Sequence, residues 1–117
     1  MLESVHQRLV AGGFGCSDWK VDEATQYADA SGRCTYIAKP GHTDHLVVST
    51  FATDQQIEDL QGGQRTQTCD YFKQAGGDIG YAIDKTERWT VVADFLDTDT
   101  AIAQKLGVDH WDTTECT

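Results

Sequence analysis

The chain is short of basic residues, proline, methionine and long apolar runs. Nine lysines and arginines stand against 19 aspartates and glutamates among 117 residues, a formal net charge of −10. Such a field repels phosphate backbones and anionic headgroups, so direct binding to nucleic acid or to a membrane surface is not expected. No apolar run approaches the ~20 residues of a membrane-spanning helix. The motifs of common enzyme classes are missing as well: there is no phosphate-binding P-loop, no Rossmann glycine pattern, no H-E-x-x-H and no G-x-S-x-G elbow. Paired carboxylates can be picked almost anywhere among 19 acids and carry no signal. A non-catalytic chain without a cofactor is the expectation. Hydrophobic residues make up only 39%, which leaves a thin core.

Four cysteines are present, Cys16, Cys34, Cys69 and Cys116. None sits in a C-x-x-C pair, and the gaps are wide, which suits disulfides between distant segments better than a zinc knuckle or a thioredoxin-type turn. Free buried thiols and metal or redox roles are the alternatives. Bridged cysteines imply an oxidising compartment, extracellular or in the cell envelope. Met1 leads directly into a charged amphipathic stretch rather than a signal peptide. The expectation is that Met1 stands where an export signal would be. With Met1 as the natural start, the chain is instead cytoplasmic and the disulfide reading weakens.

At 117 residues the chain fits one domain, residues 1–117, with one core. Leu2, Val5, Leu9 and Val10 lie at helical spacing, closed by Gly12 and Gly13. Residues 14–32 read as irregular. Alternation over Cys34–Ala38 and His45–Phe51, across Lys39-Pro40-Gly41, predicts a hairpin. Thr53 or Asp54 caps a helix bearing Ile57 and Leu60, and Thr66–Ala75 is a further helical candidate. Ile79–Ile83 and Arg88–Ala93 predict a second hairpin across residues 84–87. Asp97, Thr98 and Asp99 offer caps for a last helix through Ile102 and Leu106, ended by Gly107. Val47-Val48-Ser49-Thr50-Phe51 and Val91-Val92-Ala93-Asp94-Phe95 echo one another at a hairpin's end, as do two helix-closing Ala-Gly-Gly triplets. The expected fold is α+β: a four-stranded antiparallel sheet from two hairpins, helices packed on one face, a pseudo-duplication within the chain and two disulfides.

Several short motifs bear on this reading. Cys16-Ser17-Asp18-Trp19, Gly32-x-Cys34, Arg88-Trp89-Thr90-Val91-Val92 and Ala101-Ile102-Ala103-x-x-Leu106-Gly107 together resemble small exported or lipid-anchored actinobacterial proteins of uncharacterised function. The resemblance spans most of the chain. It implies an exported α/β fold with a bridge between the two early cysteines, and no activity. Cys69 and Cys116 depart from it as an added pair, as does the missing export signal. Four cysteines allow three pairings; Cys16–Cys34 with Cys69–Cys116 is favoured. The first ties the irregular loop to a strand, and the second clamps the acidic tail to a helix.

His42-Thr43-Asp44-His45 places two imidazoles and a carboxylate within four residues, the most metal-like fragment of the chain. Zinc needs three or four converging ligands, and at a turn entering a strand these read as exposed histidines, so no metal is expected. Asp94, Asp97 and Asp99 lack the glycine and terminal glutamate of a calcium loop and suit helix capping. Trp89 belongs to a strand and reads as core. Trp19 sits in a polar loop and Trp111 in a polar tail; each is a candidate interface anchor or a plug at the core's edge beside its cysteine. Residues 51–117 carry 13 acids and 5 bases, which favours a basic partner. The expected function is therefore an exported, disulfide-stapled, non-catalytic module. It binds a protein or cell-envelope component through Trp19, Trp111 and the acids Asp97, Asp99, Asp109 and Asp112. The alternatives are a cytosolic acidic inhibitor or DNA mimic, of the kind phages encode, and a small enzyme or metal binder using His42, Asp44 and His45.

Overall fold

The computed structural model describes residues 1–22, 28–59 and 80–112. In chain order these form helix α1 (Leu2–Ala11) and strands β1 (Ser17–Asp22), β2 (Ala30–Lys39) and β3 (His42–Thr50). Residues 54–59 are helical (α2). Strands β4 (Gly80–Asp84) and β5 (Trp89–Val92), helix α3 (Leu96–Leu106) and strand β6 (Asp109–Asp112) follow. The strands make one sheet in the order β1-β2-β3-β5-β4-β6, every neighbouring pair antiparallel. The fold is α+β, as the pattern predicts.

The strand count of the expectation needs correction. The sheet has six strands, not four: the segment expected to be irregular supplies β1, and the polar tail supplies β6. β1 pairs with β2 through Lys20↔Arg33 and Val21↔Gly32 after a shift of register. It carries Asp18, Lys20 and Asp22, and charge on an edge strand blocks pairing with further chains. β6 pairs with β4 through Tyr81↔Trp111 and Ala82↔His110. One disulfide is described, Cys16–Cys34, with Cα atoms 4.9 Å apart. Cys69, Cys116 and the helical candidate Thr66–Ala75 lie outside the described residues.

The two predicted hairpins are present, and local chemistry accounts for their ends. Gly41 adopts φ +83° in the β2–β3 turn. In the β4–β5 turn Asp84 Oδ1 accepts the N–H groups of Thr86 and Glu87, each at 2.9 Å, an aspartate turn closed by side chain rather than by ladder. Thr53 caps α2 as expected: its Oγ1 accepts the Gln56 N–H while Gln56 Oε1 accepts the Thr53 N–H, a reciprocal capping box. α3 begins differently. Its N-cap is Phe95, with no side-chain cap: the helix starts at Leu96, so the expected caps Asp97, Thr98 and Asp99 fall inside its first turns, and phenylalanine has no acceptor to offer.

Strand alternation sorts the core into two faces. Leu46 and Val48 of β3, Trp89 and Val91 of β5 and Ala82 of β4 point to one side, where Val5 and Leu9 of α1 and Ile102 and Ala103 of α3 cover them. Tyr81, Ile83 and Trp111 point to the other side and pack with Phe51 and with Ile57 of α2. The helices α1 and α3 therefore share a face, whereas α2 sends its buried side chain to the opposite one. Full burial of each such aliphatic side chain contributes about 1.5–3 kcal/mol relative to exposure. At the centre of the sheet Val47 pairs with Val92 and Val48 with Val91, so the two Val-Val dipeptides face each other across β3 and β5.

Candidate functional site

The pairing of β3 with β5 ends at Val47↔Val92, and carboxylates take over where the ladder stops. Asp44 occupies an inward position of β3, in line with Leu46 and Val48, and is fully buried. Its Oδ1 accepts the N–H of Asp94 at 2.6 Å. Asp99, in the first turns of α3 and also fully buried, accepts the N–H of Ala93 at 2.7 Å. The Asp94 side chain answers across the gap: Oδ2 accepts the backbone N–H of His45 at 3.1 Å and its ring Nδ1–H at 2.7 Å. Three aspartates thus fasten the start of β3, the 93–95 elbow and the first turns of α3 into one knot. The His42 ring lies 6.0 Å from that of Phe95 at its margin.

Burial sets the electrostatics of this knot. The Asp99 carboxyl is pushed up to about 8, first by desolvation and then by the charges of Asp44 and Asp94, while the N–H groups of Ala93 and Gly80 pull it down. One oxygen of Asp44 and one of Asp99, both Oδ2, are buried with no hydrogen-bond partner among the described residues. The histidine fragment and the Asp94–Asp99 fragment, some fifty residues apart, are therefore neighbours. Among the described residues they do not converge as a metal site: no three His, Cys, Asp or Glu side chains are placed to hold an ion.

A cleft of about 320 Å³ lies at the other end of α3. The β4–β5 turn (Ile83, Asp84, Lys85, Thr86, Glu87) forms one wall and Gly107, Val108 and Asp109 the other. Gly107 takes φ +70°, a left-handed helix end that favours glycine, and it turns the chain into β6. Three carboxylates and one ammonium line the cleft. Arg8 of α1 holds its flank, donating to the Leu106 carbonyl at 3.1 Å, standing 3.6 Å from Glu87 and covering the Trp89 ring at 5.4 Å.

The residues expected to bind are distributed differently from the sequence reading. Trp111 is only 7% exposed, its ring stacked on Tyr81 at 5.3 Å. Trp19 is half-buried, stacked on the His6 ring at 4.2 Å and seated over Gly32, where an added Cβ would fall 2.6 Å from its Cζ2. Both tryptophans plug the core's edge. Asp99 is buried in the knot, and Asp112 is half-buried at 3.4 Å from His110. Asp97 and Asp109 are exposed, Asp109 inside the cleft. Cys16 and Cys34 are bridged and buried, at 3% and 4% exposure. Sequence reasoning named Asp44 as a candidate ligand at a turn and not as a buried, inward residue of β3; its place in the alternation with Leu46 and Val48 was the available signal. No helix among the described residues is long and apolar enough to cross a membrane. Comparison with known proteins finds no matching family model, no similar curated protein and no similar solved structure.

Proposed function

We propose that this chain is a small exported domain, stapled by disulfide bonding, that binds a basic protein or cell-envelope partner and catalyses no reaction. The observation that carries the reading is the acidic cleft at the α3–β6 junction, where Asp84, Glu87 and Asp109 outnumber Lys85 and the flanking Arg8. A concave site lined by carboxylates recognises a lysine or arginine side chain by charge and by hydrogen bonding. The exposed Asp97 of α3 carries the same sign, and residues 51–117 hold 13 acids against 5 bases. The buried Cys16–Cys34 bridge supports an oxidising location. Trp19 and Trp111 have a structural place in this reading, since their rings are already packed. The facing Val47-Val48 and Val91-Val92 pairs support the further proposal that β2–β3 and β4–β5 are two related hairpin units about a local two-fold.

Calorimetric titration with a lysine- and arginine-rich peptide and with an acidic control peptide tests the reading. The basic peptide is expected to bind, and Asp109→Asn is expected to weaken it about tenfold, within the range of one charge-assisted contact. Equal affinity of wild type and variant, or no binding of the basic peptide, would remove the cleft as the site.

A further inference from the structure

The knot at the β5–α3 elbow does more than cap a helix. Ala93 and Asp94 supply consecutive backbone N–H groups between the last residue of β5 and the start of α3, and a different buried aspartate accepts each one. An N–H group at this position would otherwise take a strand carbonyl or a local cap. α3 has no side-chain cap of its own, so two acids supplied by β3 and by the body of α3 hold the elbow. A third, Asp94, is bound to His45 immediately beside them.

Buried carboxylates have a stringent requirement. An ionised carboxylate needs several donors to replace water, whereas a neutral carboxyl both accepts and donates. Asp44 and Asp99 each present Oδ1 to an N–H in good geometry; Oδ2 of each is buried without a partner in such geometry, and the Gly80 N–H only draws on the Asp99 carboxyl from nearby. Two ionised groups so placed, with the Asp94 carboxylate alongside, would repel one another in a medium of low dielectric. On β3 the imidazoles beside them are His45, whose ring is already committed to Asp94, and His42, whose ring lies toward Phe95. β4 brings the Gly80 N–H. β6 brings His110 and Asp112, which stand 3.4 Å from each other. The cation of α3, Lys105, lies in its last turn, at the far end from the knot.

We propose that the Asp44–Asp94–Asp99 knot is a proton-held latch: a proton resident on its buried carboxyls keeps the β5–α3 elbow closed, and departure of that proton loosens it. The elevated titration of Asp99 agrees with this geometry. Opening carries Asp44 and Asp99 to water beside Asp94, Asp97 and the half-exposed Phe95. The molecule then presents more negative charge on that side as pH rises. The latch stands on the geometry of the elbow and holds whether or not the cleft binds a basic partner.

Two measurements on the whole chain test it. Carbon-13 titration should place the Asp99 Cγ transition in the neutral-to-alkaline range. Amide hydrogen exchange, corrected for intrinsic rates, should show the protection of Ala93 and Asp94 falling about tenfold for each pH unit from 5 to 8, as loss of one proton requires. The Val48 and Val91 amides, which exchange through global unfolding, should stay better protected than the elbow at every pH and lose protection only in step with global stability. Asp99→Asn should make the protection at Ala93 and Asp94 independent of pH. An Asp99 Cγ transition in the ordinary carboxylate range, or wild-type protection at the elbow that does not change with pH, would overturn the latch; both readouts use the wild type and stand even where the variant fails to fold.

Discussion

Among the described residues, Asp99 is the one at which a single proton has the largest consequence for stability. Its carboxyl titrates near 8 in the folded chain, raised chiefly by burial, against about 3.9 in an unfolded one. Between those values the native state holds a proton that the unfolded state has lost. Stability from this group is therefore complete below about pH 4, falls as pH rises toward 8, and changes no further beyond. The slope for one proton is about 1.4 kcal/mol per pH unit. Other carboxylates add slopes of their own, but these are shared by wild type and Asp99→Asn. The difference in urea midpoint between the two, measured from pH 5 to 8, should therefore tilt steadily in favour of the variant as pH increases. Parallel midpoints across that range would show that Asp99 is ionised in the fold.

At the scale of elements, the Cys16–Cys34 bridge attaches an edge strand that has little else to hold it. β1 is largely exposed, enters through positive φ at Cys16 and Asp18, and shifts register between Ser17 and Lys20. Its one large apolar anchor, Trp19, rests on Gly32 and His6. Closing a loop of 18 residues contributes about 3 kcal/mol through the unfolded state. Replacing both cysteines by serine should lower stability in guanidinium by about that amount and accelerate amide exchange in β1 before β3 or β5. Uniform loss of protection across the sheet would show that β1 is integral to the core rather than stapled on. The same weakness explains why β1 and β6 were illegible in the sequence. Thr35, Tyr36 and Ile37, or Val47 and Val48, announce a strand through β-branched and aromatic residues. Ser17–Asp22 and Asp109–Asp112 are short and polar, and they become strands only because β2 and β4 offer unpaired edges. The knot was illegible for a related reason. Each of its two fragments is visible locally, but the pairing of Val47 with Val92 brings them together, and pairing partners are not written in either fragment.

For the molecule as a whole, a net charge of −10 with few bases to offset it imposes two opposite responses to salt. Like charges spread over a small body repel in the folded state more than in the expanded chain, so screening favours folding. At 0.1 M salt the screening length is about 10 Å, short against the 34 × 33 × 26 Å extent of the described residues. Moving from about 0.02 M to about 0.3 M sodium chloride should therefore raise the thermal midpoint by about 4 °C, equivalent to about 1 kcal/mol. A basic ligand in the cleft depends on the same field with the opposite sign, and its affinity should weaken over the same range. Few alternatives produce both effects together. A fold held mainly by ion pairs such as Arg8–Glu87 and Arg88–Asp54 would lose stability with salt, and recognition through packed aromatics would keep its affinity. Thermal melts and peptide titrations over one salt series separate these cases, and a midpoint that falls with salt would show that attraction, not repulsion, governs the surface of this protein.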